Sequence, residues 1–173
     1  MKNLILTTIV AFTTYVTAYG QSYIYIGDNR YEATNSWKFE MNGTYYQGDT
    51  DIIELTVAKR SNGGGYLIAA IDILSESNYI GGLITVFLSN GSVIKCTDKG
   101  VRDYVDNQSI AIYNFTNSEI KLLRSFRIMK IRFSIKGGLG DGQAFTADNE
   151  KLVYNTDQEN YYKTDVEISK LFN

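Results

Sequence analysis

The chain contains no histidine. That absence removes Ser-His and Cys-His nucleophile pairs, the usual acid-base group near neutral pH, and nearly all zinc sites. Carboxylates, lysines, tyrosines and the single cysteine are left to do chemistry. Two carboxylates facing one sugar can hydrolyse a glycosidic bond, one as acid and one as base or nucleophile. Asp72, set in the apolar run Tyr66–Leu74, and Glu54 are the candidates for such a pair. Periodicity buries Asp72 alone among the acids, and no second acid must lie beside it. No serine stands in a Ser-x-x-Lys or strand-turn-helix setting that a Ser-Lys pair would need. The expectation is a domain without a catalytic centre.

Other groupings point to binding or to turns. Gly137-Gly138-Leu139-Gly140-Asp141-Gly142 has the composition of a glycine-aspartate calcium repeat, but its Asp is one place early and a single copy cannot stack. Asp49 and Asp51, and Asp103 and Asp106, are carboxylate pairs on loops, whereas calcium takes about six to eight oxygens, several from the backbone. No metal and no cofactor is expected. Tyr45, Tyr46, Tyr161 and Tyr162 are paired aromatics beside loops, able to stack on sugars or anchor a protein contact. Lys121, Arg124, Arg127, Lys130, Arg132 and Lys136 run without an intervening acid. Of these, Lys130 and Arg132 are candidate contacts for an anionic glycan or acidic partner, or else the charged outer face of a sheet. Cys96, alternating with Ile94, reads as a small buried hydrophobe.

The elements that would carry these residues are mostly strands. Fourteen Tyr, eight Phe and one Trp favour β-structure, and with no proline the turns fall to Gly, Asn, Asp and Ser. The central stretch is Ile80 to Cys96, two β-branched and aromatic runs joined by Ser89-Asn90-Gly91-Ser92, where Asn90 and Gly91 are expected at positive φ. Strands are also expected at Ser22–Ile26, Arg30–Ala33, Ser36–Met41, Asp51–Lys59, Tyr66–Leu74, Ser109–Phe115, Ile128–Ile135 and Gln143–Ala147. The run Tyr66–Leu74 is apolar on both faces except at Asp72, which suits a strand covered on both sides. Thr97–Asn107 reads as a polar loop. Thr116-x-x-Glu119 and Thr164-x-x-Glu167 have capping-box spacing, so helices are expected over Asn117–Ser125 and at the C-terminus. Short strands at this spacing indicate a mainly β, single-domain antiparallel β-sandwich, or alternatively a β-barrel.

Met1–Gly20 orders an early cation, a short apolar core and small residues, as a signal peptide does, leaving residues 21–173 as one β-rich domain. The apolar core falls short of the about 20 residues that cross a bilayer. Its removal takes away Lys2 and no acid, and a mildly acidic domain argues against nucleic-acid binding. The set Tyr25-Ile26-Gly27-Asp28, Gly82 to Gly91, Tyr113-x-x-Thr116-x-x-Glu119-x-x-x-Leu123 and Ile128-x-x-Ile131-Arg132-Phe133 resembles a group of uncharacterised small exported proteins of Gram-negative bacteria. The resemblance implies an exported, periplasmic or extracellular address and brings no activity. The expected function is an exported non-catalytic binding or structural domain whose partner is a protein or glycan of the cell envelope. The alternatives are a carboxylate-dependent glycoside hydrolase of envelope glycans and a subunit of a surface or secretion assembly.

Overall fold

The computed structural model describes residues 22–43, 51–73, 75–138, 140–149 and 161–173. The expected signal peptide, and with it Tyr45 and Tyr46, lies outside the described residues. Alternation builds the strands. β1 (Ser22–Ile26) and β2 (Asn29–Ala33) form a hairpin, and β3 (Trp37–Met41) buries Trp37, Phe39 and Met41 while exposing Lys38 and Glu40. β4 (Ile52–Lys59) buries Ile53, Leu55 and Val57, and β5 (Gly65–Asp72) buries Leu67, Ala69 and Ile71. β6 (Asn78–Ile80), β7 (Ile84–Leu88), β8 (Val93–Cys96), β9 (Arg102–Val105) and β10 (Gln108–Phe115) follow. Then come α1 (Asn117–Ser125), β11 (Ile128–Gly137), β12 (Gly140–Asp148) and α2 (Thr164–Leu171).

The antiparallel strands form one sheet in the order β8-β7-β11-β12-β3-β4-β5-β10-β9, curled into a half-barrel. The mainly β architecture, with one helix between strands and one at the end, is the expected class. Two blocks make up the sheet. β3-β4-β5-β10-β9 and β8-β7-β11-β12 meet at β12 and β3 through only two register pairs, Ala147 with Met41 and Asp148 with Glu40. Ile120, Leu123, Ile168 and Leu171 of the helices join the same buried cluster as the strands.

Several expectations change. The central hairpin does not begin at Ile80: β6 and β7 both pair with β11 and are separated by Gly81–Leu83. Its turn has Gly91 at φ +83° while Asn90 stays at negative φ, with Gly91 N–H donating to Leu88 O at 2.9 Å and Leu88 N–H to Ser92 O at 2.9 Å. That is a three-residue loop closed by a glycine bulge. The two-residue turn with both centres at positive φ is instead Asp106-Asn107, at 51° and 63°, so the expected polar loop contains β9. The glycine run after β11 turns a hairpin rather than a loop, and β12 is longer than Gln143–Ala147. Period two over Ile128–Ile135 sets Met129 on the apolar face with Ile131, Phe133 and Ile135, but a register shift between Ile128 and Lys130 buries Ile128 instead, as a bulge does when it adds a residue to one strand.

The capping box at Thr116 forms: its hydroxyl accepts from Glu119 N–H, and the Glu119 carboxylate accepts from Thr116 N–H. The second box does not. Lys163 is the N-cap of α2, and the Thr164 hydroxyl accepts from Ile128 N–H at 2.9 Å across the core.

Candidate functional site

Gly81-Gly82 breaks the strand that β6 and β7 would otherwise make, and Gly82 has φ +81°. Buried backbone groups freed by such a break need other partners. Side chains of β9 and β10, at the opposite end of the sheet, and of Asp98 in the segment after β8 supply them. Ile80 N–H donates to Ser109 Oγ at 3.1 Å, and Arg102 Nε donates to Ile80 O at 3.0 Å. Gly82 N–H donates to Asp98 Oδ2 at 2.6 Å, while Gly82 O accepts from Tyr113 Oη at 3.2 Å. Arg102 also pairs with Asp98, whose Oδ1 accepts from Gly100 N–H at 2.8 Å. The half-barrel thus has a seam stitched by side chains where a closed barrel has a ladder.

The stitching sets the local electrostatics. Burial pushes Asp98 up, but the N–H groups of Gly100 and Gly82 and the Arg102 guanidinium outweigh it, and its net shift is down. Burial, then the Asp98 charge, pushes the Tyr113 hydroxyl up, so it stays a donor to Gly82. Because the folded-state Asp98 value lies below the ordinary 3.8, its contribution to stability is present above 3.8 and is lost as pH falls through the folded value. Denaturant midpoints taken down through about pH 4 should fall more steeply for the native chain than for Asp98→Asn. Parallel curves would rule this carboxylate out as the stabilising group.

At the seam lies a groove of about 410 Å³, within the roughly 300–1,000 Å³ of small-molecule sites. Tyr79 and Arg102 form one wall, the guanidinium 4.8 Å from the ring centroid. The ring lies across Gly81, where a Cβ would come within 2.8 Å of it. Tyr104 lines the groove from β9, its hydroxyl donating to Ile73 O at 2.9 Å. Asn78 and Ser109 form the buried floor, and Glu76 and Asp103 stand exposed at the edge. Among the described residues, Glu76 and Asp103 form no ion pair, and Arg102 is taken by Asp98 and Ile80. The groove can accept hydroxyls and amines on its carboxylates and stack a ring or sugar face on Tyr79.

The proposed carboxylate pair lies elsewhere. Asp72 is half-buried on the outer face, because alternation along β5 turns Tyr66, Ile68, Ala70 and Asp72 outward. The expectation of a buried Asp72 is therefore corrected. Glu54 does share its face: both line a depression of about 50 Å³ with Lys38 and Gln108. Glu54 is occupied by Lys38 Nζ at 3.1 Å and Ser36 Oγ at 3.0 Å, and hydrogen bonding to Glu54 holds the Lys38 ammonium above its usual range. A hollow this small cannot surround a sugar ring.

The other candidates are dispersed. Tyr161 is exposed, 5.9 Å from Arg127, whereas Tyr162 is half-buried and stacks on Phe39 with centroids 6.3 Å apart. Lys130 pairs with Asp148 at 3.1 Å directly across β11 and β12, and Arg132 is exposed two residues on. The basic run is divided further, since Arg124 donates to Asn173 Oδ1 and Arg127 lies 3.9 Å from Asp165. Cys96 is buried, and desolvation pushes its thiol up to about 12, which suits a packing role. No group of three or more metal-binding side chains occurs among the described residues, and no described helix is long and apolar enough to cross a membrane. Sequence reasoning missed Tyr79, Arg102, Tyr104 and Ser109. The one signal was Gly81-Gly82, a glycine pair interrupting an apolar strand, which marks a bulge or a close approach of another backbone. Comparison with protein-family models, curated proteins and solved structures gives no match to this chain.

Proposed function

We propose that the mature chain is an exported, non-catalytic binding domain of the bacterial cell envelope that holds its ligand in the seam groove. The observation carrying this reading is the groove itself: a volume of ligand size, with an aromatic wall, two exposed carboxylates that form no ion pair among the described residues, and a buried polar floor. Nothing in the groove provides a nucleophile and base in contact, and the Glu54–Asp72 hollow is too shallow to exclude water from a glycosidic bond. The exported address rests on the order of residues in Met1–Gly20.

Immobilised residues 21–173, exposed to native envelope extract, should retain a partner that Tyr79→Ala and Glu76→Gln together reduce by about tenfold, the loss expected for about 1.4 kcal/mol of groove contacts. Equal retention by both proteins would overturn the reading. So would glycan hydrolysis by the native chain that Asp72→Asn removes.

A further inference from the structure

The seam groove carries hydrogen-bonding capacity that the fold itself does not use. Arg102 donates through Nε to Ile80 O and through Nη2 to Asp98, while its Nη1 meets no acceptor among the described residues. The Ser109 hydroxyl accepts from Ile80 N–H at 3.1 Å. Its own proton has no acceptor among those residues, although the side chain is 1% exposed and forms part of the groove floor. A buried donor without a partner is costly, so a ligand that supplies one is favoured. The acceptors are at the rim. Glu76 makes no hydrogen bond among the described residues, and Asp103 uses only Oδ1, which accepts from Tyr104 N–H at 2.8 Å. The Tyr79 ring, 36% exposed, adds an apolar surface.

Charge decides which ligand can use both the donors and the acceptors. Asp98, Glu76 and Asp103 face Arg102 and Lys136, which lies against Gly82 and whose charge acts on the Asp98 carboxylate, so the groove is close to neutral. An anion drawn to Arg102 would stand beside Asp98, which already neutralises that guanidinium, and would face the two carboxylates at the rim. A cation would satisfy Glu76 and Asp103 but leave Arg102 Nη1 and the Ser109 proton unmet. A hydroxyl donates and accepts at once, and a sugar ring also has a face of C–H groups that lies flat on an aromatic ring. Resting on the reading of the groove as a ligand site, we propose that its ligand is a neutral glycan. Two adjacent hydroxyls donate to Glu76 and Asp103, another sugar oxygen accepts from Arg102 and Ser109, and the C–H face stacks on Tyr79.

Envelope extract divided into two portions tests it. One is oxidised with periodate, which cleaves the carbon–carbon bond between adjacent hydroxyl-bearing carbons, and the other is digested with protease. Each then competes with labelled, untreated extract for immobilised residues 21–173. The digested portion should compete as well as untreated extract, and the oxidised portion at least about tenfold less well. Raising sodium chloride from about 0.1 to about 1 M should not weaken retention, because no ion pair with the ligand is there to be screened. Tyr79→Phe, which keeps the ring, should retain what the native chain retains, whereas Tyr79→Ala should lose about tenfold with the circular dichroism unchanged. Competition that survives periodate but not protease, or retention that falls tenfold in high salt, would overturn the glycan while Tyr79→Ala still marks the groove as the site. No retention by the native chain, or equal retention by Tyr79→Ala, would remove the groove reading and the glycan with it.

Discussion

Gly137→Ala is expected to destabilise the domain by more than about 3 kcal/mol. Gly137 has φ +100°, and a Cβ there would stand 1.8 Å from Ser77 O, 2.9 Å from Ser77 C and 3.1 Å from Asn78 Cα. All three are backbone atoms and cannot rotate aside. β6 would have to leave β11, breaking the register of Ile80, Tyr79 and Asn78 against Ile135, Lys136 and Gly137. Gly91 is the control: its φ is +83°, but a Cβ would meet nothing within 4 Å. Gly91→Ala should thus cost only the left-handed backbone penalty, about 1–2 kcal/mol. Urea midpoints of the two variants measure the difference. Equal losses would mean that close approach plays no part and that β6 is held some other way. Because Asn78 and Tyr79 line the groove, Gly137→Ala should also abolish ligand retention, whereas Gly91→Ala should leave it unchanged.

Asn149→Leu should cost about 3–5 kcal/mol, among the largest effects of any side chain outside the apolar core. Asn149 is fully buried and spans two segments. Its Nδ2 donates to Ile128 O at 2.6 Å and Tyr162 O at 3.0 Å, and its Oδ1 accepts from Tyr162 N–H at 2.8 Å. Leucine keeps the volume and orphans three backbone groups. Each orphan costs about 1–3 kcal/mol, less whatever solvent recovers. Thr164→Val removes one acceptor, that of Ile128 N–H, and should cost about 1–3 kcal/mol. Urea unfolding orders the two. A loss below about 1 kcal/mol for Asn149→Leu would show that water replaces the amide and that α2 is docked by apolar contacts alone.

These residues also show how far the sequence could be read. Alternation in β3 and β4 separated their apolar inward faces, because the core lies on one side of the sheet and a period of two records which side, whereas β5 is apolar on both faces and its pattern misplaced Asp72. α1 was legible to its end residues, since both halves of its capping box lie within one turn. The same spacing at Thr164 misled for a physical reason: a hydroxyl bonds whichever donor lacks a partner, and the needy donor was Ile128, 36 residues away. Asn90-Gly91 and Asp106-Asn107 carry similar turn chemistry, yet the tight turn went to the pair flanking an exposed strand with little apolar pattern. The seam groove was illegible beyond its glycines. Its wall joins Tyr79 to Arg102 and its floor joins Ile80 to Ser109, contacts fixed by sheet curl rather than by local spacing.

The joint between the two sheet blocks has a consequence for how the chain reaches this form. β3 and β12 meet through two register pairs about a hundred residues apart along the chain, while the opposite joint has side chains in place of a ladder. Closing so long a loop costs entropy that two pairs return poorly, whereas the hairpins within each block close short loops. Each block therefore has reason to form as its own cooperative unit before the two dock. Docking last leaves the groove, whose walls come from both blocks, as the final part of the molecule to take shape and the first to be lost.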